Sequence, residues 1–353
     1  MKQKKYLGEY AVKKIKIILN KLKPKRIFLV IDKNVYEKCG AKKELTFFLR
    51  KYQCNYFGDF TPNPEMSSVD KGVKKFNKDN PDLVIAVGGG STIDVAKAIK
   101  YFSKSKVKLI AIPTTIGTGS EATCFATIYD GKEKLSLTRK YLLPNYAIID
   151  TNFFKSINKK QLSLGIADSF CHAVESHISN KSTEESKKYA ARSIYLLLNY
   201  AKKKNLHMLA LASHLSGKAI NISKTNLSHA ISYYLTKKHR IPHGQAVAIT
   251  LPAVIYFNYG STHGDLNDNR GFQYHKNNMR KLFKLLNTNN VLEAVSAIEE
   301  FFESLGLKTS LTDLKIYKKD FDKIAGNVNL ERVKTNPRKV NKNKIRKILM
   351  QCS

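Results

Sequence analysis

The sequence predicts two domains of different class: a parallel α/β domain over residues 1–152 and an all-helical domain over residues 153–353. Two observations predict this. Apolar, strand-like runs alternate with helical patterns up to about Asn152, and beyond it strand alternation nearly disappears. Alternating strands and helices imply a mainly parallel sheet covered on both faces. At 353 residues the chain is long enough for two cores.

The elements follow in order. Ile27 to Ile31 is an apolar run ending in Asp32, Leu45 to Tyr52 has a helical pattern, and Asn55 to Phe60 reads as a second strand. Ser67 to Asn77 reads as a helix with Val69, Val73 and Phe76 on one face. Leu83 to Val87 is a strand, followed by Gly88-Gly89-Gly90-Ser91 and a helix over 92–102. Leu109 to Ile112 and Tyr146 to Ile149, the latter ending in Asp150, are further strands. Helical periodicity then marks 161–178, 184–202, 206–222, 226–236, 244–257, 274–286 and 292–304. The tail from Arg332 to Lys347 is very basic and reads as a solvated charged face.

Composition is that of a globular protein, 42% hydrophobic and 25% charged, but the net charge is +34. The basic residues are spread over helix faces, with no zinc-finger or RNA-binding signature, so nucleic acid is not the expected partner. A positive field does attract small anions. Five scattered cysteines without a CxxC pair suggest reduced thiols and a cytoplasmic location. No run of 18 apolar residues exists, so no membrane span is expected.

Two motifs carry chemistry. The glycines at 88–90 let the backbone approach a ligand, and the helix N-terminus that follows suits a phosphate. Such a turn also serves simply to pack a helix on a sheet. The second motif is Asp168 with His172, four apart and on one helix face. Alone, the pair fits an ordinary helix-surface hydrogen bond better than a metal site. His229 and His243 change that balance. On one helix they would lie about 21 Å apart, too far for one metal. Pro242 prevents such a helix, so the first helix should end near Lys237, with His243 opening the next. One carboxylate and three imidazoles suit Fe(II) or Zn(II).

Taken in order, these motifs resemble the iron-containing, or group III, alcohol dehydrogenases over roughly residues 25 to 330. The resemblance is carried by Asp82 to Ser91 with Asp94 and Lys97, by Ile112-Pro113-Thr114-Thr115 with Gly117 to Glu121, and by Asp168, His172, His229 and Pro242-His243-Gly244. It implies a dinucleotide-binding α/β domain, a helical domain, and NAD(P)-dependent interconversion of an alcohol with an aldehyde or ketone. It implies Fe(II), sometimes Zn(II), on Asp168, His172, His229 and His243. It places Gly88, Gly89, Gly90, Ser91, Asp94, Thr114, Thr115, Thr118, Asn63 and Lys134 around the cofactor. Asp32 matches the acidic residue of NAD-preferring members, which favours NADH, although aspartate is also common as a helix cap. A homodimer is the family expectation.

One position departs from the pattern. Many members carry a second histidine four residues after His229, where this chain has Tyr233. The stretch Gly217 to Thr225, with His229 to Tyr233, is similar to the phosphonoacetaldehyde reductases, which make 2-hydroxyethylphosphonate. That likeness implies a small anionic aldehyde as substrate, with Lys218, Lys224 and Arg270 as candidate cations or else ordinary surface residues. Dehydrogenases of other alcohols, polyols or sugar phosphates, a lyase on the related dehydroquinate synthase scaffold, and a non-enzymatic nucleic-acid-binding protein remain alternatives. No side chain stands out as general acid, His177 being one option.

Overall fold

The computed structural model describes residues 3–131 and 133–353, and it divides into two compact units, Met1–Asn158 and Lys159–Ser353. The described residues of the first unit form eight strands: β1 (Lys4–Gly8), β2 (Arg26–Ile31), β3 (Gln53–Phe57), β4 (Leu83–Gly88), β5 (Lys108–Pro113), β6 (Phe125–Asp130), β7 (Glu133–Thr138) and β8 (Tyr146–Asp150). Six of them form one parallel sheet in the order β1-β8-β5-β4-β2-β3. β2, β4 and β8 are continuous apolar runs because both sheet faces are covered. One face packs Ile27, Leu29, Ile85 and Ile110 against the N-terminal helices. The other packs Phe28, Val84 and Leu109 against Val69, Phe76 and Ile99.

The strand expected at 55–60 begins and ends earlier, at 53–57, because Gly58 and Pro62 interrupt the extended run. β1 was not legible: its two lysines mask a short edge strand, the kind of strand that charge protects from further pairing. The antiparallel pair β6–β7 was also missed, although Asp130-Gly131 is a hairpin signal.

The second unit is helical: Lys159–Ile178, Glu184–Tyr200, Leu206–Ser223, Leu227–His239, His243–Ala248, Leu251–Tyr259, Phe272–Leu285, Val291–Ser304, Phe321–Gly326 and Lys342–Gln351. The helix expected over 244–257 is two helices, separated at Ile249 and Thr250, with Pro252 in the first turn of the second. The tail is not a solvated face throughout. Val333 and Ile345 are buried in the helical core, and Arg338 and Lys344 both pair with Asp265. Lysines flank those apolar positions and hide them in composition. Among the described residues no helix is long and apolar enough to cross a membrane, and none of the five cysteines is in a disulfide.

Candidate active site

In the N-terminal unit the expected cofactor residues gather at the carboxyl edge of the sheet. Ile31 lies opposite Val87, and Gly88 opposite Pro113, so Asp32, Gly88 and Thr114 stand at three neighbouring strand ends. The Thr114 N–H donates to the Gly88 carbonyl at 3.0 Å. Connections run outward in opposite directions from β2 and β4, and open α/β sheets bind ligands at such a point. The glycines are required by packing. A Cβ on Gly88 would stand 2.2 Å from Thr92 Oγ1, and one on Gly90 2.8 Å from the Thr118 side chain. A Cβ on Gly89 would press on Thr115 at 3.2 Å. Thr115 and Thr118 therefore line the glycine turn, with Ser91 in the first turn of helix Gly90–Phe102. Tyr129 donates its N–H to the carbonyl of Pro64, the residue after Asn63, and lies opposite Lys134 in the β6–β7 pair.

Two of the expected residues also have protein partners. Asp32 Oδ1 accepts the Val35 N–H at 3.1 Å and caps helix Lys33–Lys38, so one of its oxygens is used as a cap. Asp94 accepts the Ser120 hydroxyl at 2.5 Å and the Thr127 N–H at 2.9 Å. Lys97, fully buried, donates to Ser120 O, Ser120 Oγ, Thr123 Oγ1 and Phe125 O at 2.6, 3.0, 3.1 and 2.9 Å. Asp94 and Lys97 thus hold the 120–127 segment in place. Burial lowers the Lys97 ammonium to about 8, against the pull of Asp94.

In the C-terminal unit helix Lys159–Ile178 carries Asp168 and His172 on one face. Helix Leu227–His239 carries His229 and ends on Arg240, whose φ of 56° turns the chain back. Pro242 then precedes a helix opening on His243. Gly244 lets that helix approach: a Cβ there would stand 2.1 Å from the Leu164 carbonyl oxygen, one turn before Asp168. Ligand atoms of Asp168, His172 and His229 lie within 4.8 Å of one another. Asp168 Oδ1 is 3.7 Å from His172 Nε2, 3.4 Å from His229 Nε2 and 3.7 Å from His243 Nε2. Among the described residues, Asp168 Oδ1 and His229 Nε2 are buried with no partner in hydrogen-bond geometry. Buried polar atoms left this way need a partner, and a cation among them satisfies all four donors at once. The donor set, oxygen and imidazole without thiolate, fits Fe(II) or Zn(II). His243 is 38% exposed at its side chain, so the cluster is open on that side.

Similarity to known families decides the lineage. The iron-containing alcohol dehydrogenase family matches residues 3–151, and the C-terminal domain of Fe-containing alcohol dehydrogenases matches residues 164–352. The chain belongs to the iron-containing alcohol dehydrogenase family. It is an oxidoreductase acting on CH–OH groups. It is 30% identical over 258 residues to a 1-propanol dehydrogenase of Citrobacter freundii, covering 68% of this chain and 69% of that protein. It is 32% identical over 223 residues to a phosphonoacetaldehyde reductase of Streptomyces viridochromogenes, covering 54% of this chain and 56% of that protein. An iron-containing alcohol dehydrogenase of Thermotoga maritima superposes with a TM-score of 0.84 at 25% identity, over 100% of this chain and 98% of that one.

Sequence reasoning missed one residue beside this cluster. Glu175 is fully buried and its Oε2 lies 2.6 Å from His229 Nδ1. The same carboxylate accepts the N–H groups of Asn226 and Ser228 at 2.8 and 2.7 Å, capping the His229 helix from across the unit. Its position, three after His172 and seven after Asp168, was the available signal. Burial opposes protonation of His229, but Glu175 and Asp168 more than offset it and hold the imidazole at about 10 in the absence of a cation. Tyr233 lies parallel to the His243 ring, centroids 6.2 Å apart at 5°. His177 is buried, which lowers its imidazole to about 4, so it is neutral at pH 7. The candidate cations part company. Lys218 donates to the Tyr189 hydroxyl at 2.7 Å. Arg270 gives its donors to Asp268, Ser179, Ser182 and Tyr274. Lys224 ends helix Leu206–Ser223 at φ 66° and ψ 175°, a region that side chains rarely occupy, five residues before His229.

Proposed function

We propose that the protein is a metal-dependent, NADH-linked reductase of a small anionic aldehyde, with phosphonoacetaldehyde going to 2-hydroxyethylphosphonate. The observation that carries this reading is the Asp168–His172–His229–His243 cluster, whose buried Asp168 Oδ1 and His229 Nε2 point at a common centre. Similarity to the Streptomyces phosphonoacetaldehyde reductase supports the substrate. Asp168, His172, His229 and His243 would hold Fe(II), or Zn(II) in its place. When bound, the metal supplies Lewis acidity toward a carbonyl oxygen and the nicotinamide supplies a hydride.

The chain's own residues do the rest. Glu175 fixes the ring orientation of His229 by accepting from Nδ1. The glycine turn and the N-terminus of helix Gly90–Phe102, against which Thr115 and Thr118 pack, would hold the cofactor pyrophosphate. The second oxygen of Asp32 meets the adenosine ribose and repels a 2′-phosphate, which favours NADH over NADPH. Asn63 and Lys134 close the cofactor side. Tyr233 occupies the place beside His243 and shapes the substrate's surroundings. We place the enzyme in the cytoplasm as a homodimer, with no nucleic-acid or membrane partner.

An aldehyde panel with iron-loaded protein, read by NADH absorbance, tests the reading. A kcat/KM for phosphonoacetaldehyde well above that for propanal is expected. Equal values for the two would defeat the phosphonate assignment. Equal use of NADPH would defeat the Asp32 role.

A further inference from the structure

We infer that Ser232 is a positioning residue for the metal site: its hydroxyl fixes the ring of His243, with the proton on Nδ1 and the lone pair on Nε2. The inference rests on the reading above that Asp168, His172, His229 and His243 hold one ion. The imidazoles are not held alike. His172 and His229 are buried, and the Glu175 carboxylate lies 2.6 Å from His229 Nδ1. His243 opens a helix of only six residues and is the most exposed of the four side chains. Packing alone leaves its ring freer to turn.

Ser232 supplies the missing restraint. It lies three residues after His229, on the same face of helix Leu227–His239, and it is fully buried. Arg240 and Pro242 turn the chain back, and helix His243–Ala248 packs on that helix. Ser232 Oγ then stands 3.5 Å from His243 Nδ1. A serine hydroxyl has one hydrogen and two lone pairs. The hydrogen is already used, because Oγ donates to the His229 carbonyl at 2.8 Å. Toward His243 the oxygen is left to accept, which requires a proton on Nδ1. A neutral imidazole protonated at Nδ1 carries its lone pair on Nε2, the nitrogen 3.7 Å from Asp168 Oδ1. One serine thus ties the backbone of one ligand to the ring of another across the chain reversal. A neutral acceptor at 3.5 Å holds a ring more weakly than a carboxylate at 2.6 Å, so His243 is less firmly held than His229.

The test is a double-mutant cycle on metal affinity, read without turnover by competition between the protein and a chelator for Co(II). Ser232→Ala is expected to weaken binding about 10-fold, the low end of the range for the partner of a ligating histidine. Its Co(II) absorption spectrum should shift, because the ring reorients. Ser232→Thr keeps the hydroxyl and is expected to restore most of the affinity and the wild-type spectrum. In a His243→Ala background Ser232→Ala should cost nothing further, because the ring it acts on is gone. The same loss in that background overturns the assignment and puts the effect in the His229 helix instead. Wild-type affinity together with a wild-type spectrum in Ser232→Ala overturns it too. Proton–nitrogen correlation spectra of the Zn(II)-loaded protein give a second reading that does not depend on affinity. The His243 Nδ1 proton should exchange with water more slowly in the wild type than in Ser232→Ala, and equal rates overturn the contact. A wild type that takes up no ion defeats the metal reading itself, before any variant is compared.

Discussion

Lys97 in the N-terminal unit and Asp168 in the C-terminal unit are both buried charges on helices, yet their surroundings are finished differently. Lys97 has four oxygen acceptors within 3.1 Å and a carboxylate, Asp94, at 3.9 Å. Every partner is supplied by the chain. Asp168 faces three imidazole Nε2 atoms at 3.4 to 3.7 Å, and its Oδ1 is left without hydrogen-bond geometry. A buried charge with a full set of partners is a structural device. One that converges with other donors on a point none of them fills is a site for something else. The glycine turn shows both conditions together. Its missing Cβ atoms make room for Thr92, Thr115 and Thr118, and its helix N-terminus still offers N–H groups.

Substitutions can break this contrast. The largest effect is expected for Asp168→Asn, which removes the anionic ligand: iron content should fall to background, and kcat/KM at least about 100-fold. Metal analysis and NADH absorbance check it. Next is Glu175→Gln, which keeps the volume but weakens the hold on His229. Metal affinity should drop about 10- to 100-fold in competition with a chelator, with a shifted Co(II) absorption spectrum. Smaller, and of a different kind, is Lys97→Met. It should cost about 1–3 kcal/mol of stability by leaving buried acceptors unmatched, while iron content stays at the wild-type level. Loss of iron in that variant would show that the two sites are not separate devices.

The smallest effect is a pH slope. The folded Lys97 ammonium is lowered to about 8 against an ordinary 10.5, with burial as the cause. Between those values the unfolded chain binds the extra proton, so this group's contribution to stability rises with pH across that window. Lys97→Met should flatten the slope of denaturant stability between about pH 8 and pH 10.5 relative to the wild type. An identical slope would mean that the ammonium is not desolvated.

The parts of the site that local rules govern were readable in the sequence. Pro242 forbids a continuous helix, so His243 had to open a new one, and it does. The apolar runs at 27–31 and 83–87 became adjacent parallel strands because both their faces are covered. What was hidden depends on partners far away along the chain. Glu175 reads as one more acidic residue in a helix until the N-terminus of the His229 helix arrives 51 residues later. Arg270 reads as a free cation until Asp268, Ser179 and Ser182 close on it. Asp94 belongs to the same class, since Ser120 and Thr127 claim its carboxylate.

The central claim is that four residues of the C-terminal unit hold one catalytic metal. The most direct test is anaerobic titration of metal-free protein with Fe(II), followed by calorimetry and thermal unfolding. One ion per chain should bind and raise the unfolding temperature, and both effects should vanish in Asp168→Asn and His243→Ala. Binding of the same stoichiometry and strength in those variants, or no binding in the wild type, would contradict the account.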